Sequence, residues 1–149
     1  MGSLNMNIYL KKSQNGIAAV EFILIFPLLL ILMVALSEIG SLLVKYNTLN
    51  KLVQNASRYA VSHIYGTATT DQIAPISDIK NIVLYGDDSG SGTLALDSLT
   101  AENITVVHNN NFVTVTASYD YVPFIEEIPV FDIPLTITIS ASSMMRTGL

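Results

Sequence analysis

The sequence contains no cysteine, which rules out disulfides and thiolate chemistry. Positive charge is scarce: seven Lys and Arg face twelve Asp and Glu, for a net charge of −5. No basic patch is available to neutralise phosphates, so nucleic acid is not an expected partner. Histidine occurs only at His63 and His108. The two are far apart in sequence and neither sits in a metal-ligand motif, so both read as structural or surface residues. The run Asp87-Asp88-Ser89-Gly90-Ser91-Gly92 lacks the acidic spacing and distal glutamate of an EF-hand and reads as a solvated loop. Glu126 and Glu127 are adjacent on extended chain and point apart, unlike the paired carboxylates of a glycosidase. No Ser/His/Asp, Cys/His or metal-ligand constellation is left, so the expectation is a protein that is not an enzyme and uses no cofactor.

Apolar character, by contrast, is abundant. Half of the 149 residues are hydrophobic and the mean hydropathy is +0.49, with much of the excess between Ile17 and Leu36. As a helix that segment is about 30 Å long, enough for a bilayer core. It is too long for a cleaved secretory signal, and it passes into Glu38, Gly40 and Lys45 without a small-residue cleavage site. The position-six Ser or Thr of a myristoylation signal is also missing, since that place is Met6. One carboxylate, Glu21, lies inside the apolar run. At a helix centre such a group costs about 2.5–3.5 kcal/mol on insertion scales, so its default reading is functional. Gly16 precedes it by five residues. If the chain is cut after Gly16, Ile17 becomes a positively charged N-terminus and Glu21 follows about one helical turn later on the same face.

A basic leader containing Lys11 and Lys12, Gly16, then Glu21 at the start of a hydrophobic helix resembles the class III signal of type IV prepilins. The sequence Ala18-Ala19-Val20-Glu21-Phe22, with Pro27 soon after, is similar to that of the TadE/TadF minor pilins (pseudopilins) of the tight-adherence pilus. The resemblance implies that a prepilin peptidase cuts between Gly16 and Ile17 and that Glu21 pairs with the N-terminal amine of a neighbouring subunit during assembly. It also places the leader in the cytoplasm, which the charges alone leave open, because Lys45 and Lys51 follow the span closely. Removal of residues 1–16 would take Lys11 and Lys12 and no acid, leaving five basic against the same twelve acidic residues, or −7.

Beyond the span, Leu42, Tyr46, Leu49, Val53, Ala56, Ala60 and Ile64 recur at helical spacing, so the helix is expected to continue to Tyr65, with Gly66 as its cap. Pro27 should kink or locally open it. Residues 67–76 are a polar connection, and Ser77 or Asp78 is expected to cap a short helix ending at Tyr85 before Gly86, with a strand over 81–85 as the competitor. Ile104, Val106 and His108 alternate up to a turn at Asn109-Asn110-Asn111. Phe112 to Thr116 start a return strand that runs on through Tyr119-Asp120-Tyr121 to Pro123. Pro129 and Pro134 bracket a crossing, and residues 135–140 form a third strand. This region also resembles the TadE-like pattern of a hairpin, an aromatic-Pro segment and a last strand ending in Ala-Ser-Ser-Met-Met-Arg at 141–146.

The expected architecture is α+β: a long N-terminal transmembrane and amphipathic helix, pilin-like, packed on a small antiparallel sheet of about three strands. Leu49, Val53 and Ala60 should meet Val113, Val115, Ile137 and Ile139. The expected segments are a prepilin leader (1–16), a transmembrane helix (17–36), its amphipathic continuation (37–65) and an extracytoplasmic pilin domain (66–149). The resemblance implies a single-pass protein of the bacterial inner membrane, later part of a pilus for surface attachment. Its partners would be major and minor pilins, the pilus assembly machinery and the prepilin peptidase. The alternatives are a type II secretion pseudopilin, or a membrane-anchored binding or enzymatic domain.

Overall fold

The computed structural model describes residues 15–63, 73–124, 127–128, 133–134 and 136–148. The chain forms two units, Met1–Leu36 and Ser37–Leu149. The leader up to residue 14, the connection at 64–72 with its expected cap at Gly66, and Glu126, Pro129 and Leu135 lie outside the described residues.

One helix, α1 (Asn15–Ser62), enters both units. In the first unit its apolar side chains point outward: Ile17, Phe22, Leu24 and Met33 are all largely exposed. Over an 18-residue window the mean hydropathy is 2.9 and none of the window is buried within the protein. This helix is long and apolar enough to cross a membrane, where intrahelical bonds satisfy every backbone group. Neither helix end carries a stabilising charge, since its first turn has no acid and its last turn no base. Helicity continues through Pro27.

In the second unit, the part of α1 from Ser37 onward is joined by α2 (Ile76–Tyr85), a 3-10 turn (Ala101–Asn103) and the strands β1 (Ile104–Asn109), β2 (Phe112–Tyr121), β3 (Glu127–Ile128), β4 (Ile133–Pro134) and β5 (Ile137–Arg146). The main sheet has three antiparallel strands in the order β1-β2-β5, and β3 pairs separately with β4. This is the expected helix-on-sheet α+β arrangement. The short β3–β4 ladder, which pairs Glu127 and Ile128 with Pro134 and Ile133, was not expected.

Strand alternation decides which face meets the helices. Val113, Val115, Ala117, Tyr119 and Tyr121 of β2 are buried, whereas Phe112 and Asp120 are exposed and the residues between are half-buried. Opposite them lie Leu49, Leu52, Val53, Ala56 and Ala60 of α1, and Ile79, Ile82 and Val83 of α2, all buried. Small residues bring α1 close to the sheet. The buried Ser57 hydroxyl lies 2.9 Å from the Val53 carbonyl and 3.2 Å from that of Ser143 in β5, so one proton is shared between helix and strand. Leu49 is fully buried; Leu49→Ala is expected to destabilise residues 37–149 by about 2–5 kcal/mol. A correspondingly lower Tm of a fragment of those residues, against the parent fragment, checks this.

The β1–β2 connection is tighter than a three-residue turn. Asn109 pairs with Phe112, and Asn110 and Asn111 have φ of 47° and 63°, a two-residue turn of the primed kind that asparagine tolerates.

Other expectations need correction. The helix wins over residues 81–85 because Ile79, Ile82 and Val83 share one buried face, but its N-cap position is Pro75, with no side-chain cap bond. Ser77 and Asp78 stand inside the first turn, where Pro75 supplies the helical φ before them. Gly86 closes α2 at φ 84°, a left-handed conformation that suits glycine. The third strand extends to Arg146, since β2 is long enough to pair it from Tyr121↔Ile137 to Phe112↔Arg146. Ile137 is 49% exposed rather than packed under the helix, because it lies at the strand's first ladder position. α1 is described to Ser62, and the expected last residues Ile64 and Tyr65 lie outside the described residues. Tyr46 is exposed and Lys45 takes its place on the inward stripe, for a reason found at the sheet end.

Candidate functional site

Gly16, Ile17, Glu21 and Pro27 all stand on α1 in the first unit. Helix geometry puts Glu21 one turn after Ile17 on the same face. Ile17 is 75% exposed, and Glu21 is exposed too. A Cβ built on Gly16 meets nothing within 4 Å, so packing among the described residues does not demand glycine there. Phe22 and Phe26 follow with their ring centroids 5.4 Å apart. This part of the helix presents a carboxylate and apolar surface on its outside.

The second unit contains a polar cluster that sequence reasoning missed. Glu38 had signified only the end of the apolar run, yet it is 9% exposed. Its Oε2 accepts a 2.5 Å bond from the Tyr121 hydroxyl, and its Oε1 accepts one of 2.8 Å from the Phe124 backbone N–H. A helix carboxylate thus holds the end of β2 and the first residues after it. Lys45, nearly two turns on, places its ammonium 4.9 Å from the Tyr121 ring centroid and 5.8 Å from that of Tyr119. These cation–π contacts explain why Lys45 rather than Tyr46 faces the sheet: aromatic faces receive a cation on an aliphatic stem. The available signal was the Tyr119-Asp120-Tyr121 alternation, which puts both rings on one face.

Burial raises the Tyr121 pKa above its ordinary 10.0, and the hydrogen bond to Glu38 and the charge of that carboxylate raise it further; Ser41 and Lys45 act in the opposite direction. A phenol whose folded pKa is raised stabilises the fold fully below its unfolded value and loses that contribution as pH rises through the folded value. The second unit is therefore expected to weaken above about pH 10, and Tyr121→Phe should flatten that alkaline slope. At neutral pH the same substitution should cost about 1–3 kcal/mol, because the buried Glu38 carboxylate loses its charge-assisted bond from the Tyr121 hydroxyl. Tm against pH for both forms measures the two effects.

The other polar residues singled out in the sequence lie apart from this cluster. His63 stacks on Tyr59 at 4.2 Å and bonds to Ser62 at 2.9 Å. His108 lies on β1, partly buried, and pairs with Val113. Asp87 Oδ1 accepts bonds from the Ser89 hydroxyl and the Gly90 N–H, while Asp88 Oδ2 accepts one from the Tyr59 hydroxyl. The loop is thus held by bonds of its own and by Tyr59 of α1 and Asn81 of α2. Gly90, at φ 67°, passes so close to Asn81 that a Cβ would fall 2.8 Å from its Nδ2. Among the described residues no group of three or more His, Cys, Asp or Glu is placed to hold a metal ion.

Residues 16–58 match the family model described as TadE-like protein. The match starts at Gly16 and ends within α1, so it includes Ile17, Glu21, Pro27, Glu38 and Lys45, while the sheet and the 141–146 segment lie outside it. No curated protein and no solved structure matches the chain.

Proposed function

We propose, from a chain whose residues 16–58 are TadE-like, that it is a minor pilin of the tight-adherence pilus with a structural rather than catalytic role. The observation that carries this reading is where the match begins: at the glycine expected to flank the cleavage site, and then across the whole exposed apolar helix. A prepilin peptidase removes residues 1–16 on the cytoplasmic side. The helix from Ile17 to Leu36 holds the product in the inner membrane, with residues 37–149 outside it, until it joins or primes a pilus for surface attachment. Glu21 then pairs with the Ile17 amine of a neighbouring subunit, which neutralises both charges and sets the axial register. Ala18 and Ala19 permit close helix approach, and Pro27 bends the span. Other pilins and the assembly machinery are its partners.

The mass of the protein extracted from membranes tests the reading. The expected product begins at Ile17, and a mature chain that still begins at Met1 or Met6 would remove the prepilin assignment.

A further inference from the structure

The end of the sheet beside Glu38 is apolar where it meets solvent. Pro123 is buried, but the residues on either side face outward: Val122 is 55% exposed and Phe124 96%. Val122 and Ile137 share the wall of one open hollow. Val122 and Phe124 line another, of about 400 Å³, together with Ser37, Glu38 and Ser41. These apolar side chains form one tip at one end of the sheet.

Glu38 fixes the level of that tip. Its carboxylate binds the Phe124 N–H at 2.8 Å and the Tyr121 hydroxyl at 2.5 Å, and it is the second residue after Leu36, where the apolar run stops. With residues 17–36 filling the hydrocarbon core, the next helical turn rises about 5 Å. The headgroup layer on each side of a bilayer is about 5–7 Å thick. Glu38 therefore stands within that layer, and the Phe124 backbone stands beside it. A phenylalanine ring can bury at the headgroup–acyl boundary as the apolar side chains of interfacial segments do, and the Phe124 backbone N–H is already satisfied by Glu38.

We infer that Val122 and Phe124 form a membrane-seated foot: the tip after β2 inserts its apolar side chains at the headgroup–acyl boundary, and Glu38 is the positioning residue that holds it there. The occupant is lipid, because the tip is tethered to the helical turn that leaves the bilayer. The foot would seat the second unit on the membrane before assembly and would leave lipid when the subunit is extracted. This inference rests on the reading of residues 17–36 as a membrane span.

The chain contains no tryptophan, so a single introduced indole reports without background. Full-length Phe124→Trp and, separately, Ile23→Trp are reconstituted in vesicles of phosphatidylethanolamine and phosphatidylglycerol. Quenching is compared between lipid spin-labelled just below the headgroup, lipid spin-labelled near the chain end, and aqueous acrylamide. The F124W indole should emit at shorter wavelength than an exposed tryptophan, should be quenched several-fold more by the shallow label than by the deep one, and should resist acrylamide. Adding Glu38→Ala should release it to acrylamide; unchanged protection would overturn the positioning role.

If the I23W indole is quenched by the deep label while the F124W indole is open to acrylamide and indifferent to both lipid labels, the span stands and the foot is overturned. Protection that ignores lipid labels and grows with protein density would mean that a second copy covers the tip, which also overturns it. If the I23W indole escapes both lipid labels, the span itself fails and the inference with it.

Discussion

Gly16→Leu is expected to abolish processing almost completely while the protein still enters the membrane and keeps its fold. The two effects separate because of where the glycine sits. A Cβ at position 16 meets nothing within 4 Å, so a larger side chain displaces none of the described residues. Within a helix, leucine is favoured over glycine by roughly 0.5–1 kcal/mol, so the variant should not fail through helix loss. What leucine changes is the close approach that glycine permits to another protein's backbone. Membrane fractions should then contain precursor at its full mass in place of the form beginning at Ile17. Ordinary processing of the variant would show that the peptidase does not read this glycine.

Glu21→Ala carries the second large effect, and its two consequences have opposite signs. Membrane insertion should be unchanged or improved, because a group that costs about 2.5–3.5 kcal/mol at a helix centre is gone. Assembly should suffer. A subunit lacking Glu21 would leave its neighbour's Ile17 amine desolvated without a counter-charge, and breaking a buried pair typically costs about 3–5 kcal/mol. At about 1.4 kcal/mol per tenfold in an equilibrium constant, that is on the order of 10²- to 10³-fold weaker association. Glu21→Gln keeps the shape and loses the charge, so it should resemble alanine if charge pairing is the cause. Pilus yield and co-purification with other pilins are the readouts. Wild-type piliation in both variants would reduce Glu21 to a polar residue that the helix tolerates.

Sequence alone carried the local features far. The apolar run from Ile17 to Leu36, the period of Leu42, Leu49, Val53, Ala56 and Ala60, and the alternation through β1 and β2 together imply a helix that continues beyond a span and covers a small sheet. The placing of Gly16, Ile17 and Glu21 on one helix was legible for the same reason: it is a spacing along the chain and needs no contact from elsewhere. Asn110 and Asn111 likewise announced their turn, because asparagine tolerates the left-handed backbone that a two-residue hairpin requires.

Only tertiary structure decided which polar residues would be buried and what would hold them. Glu38 looks like the polar end of a span until the end of β2 supplies the Tyr121 hydroxyl and the Phe124 N–H. Lys45 displaces Tyr46 from the inward stripe only because two tyrosine rings stand opposite it, and Ser57 is buried only because the Ser143 carbonyl is within reach of its hydroxyl. The length of β5 and the exposure of Ile137 follow from where β2 ends. Periodicity tells a residue's face but not its partner. Sequence therefore determined the helix and the strands of the main sheet, whereas the Glu38 cluster and the apolar tip at Phe124 arise from contacts 83 and 86 residues apart in the chain.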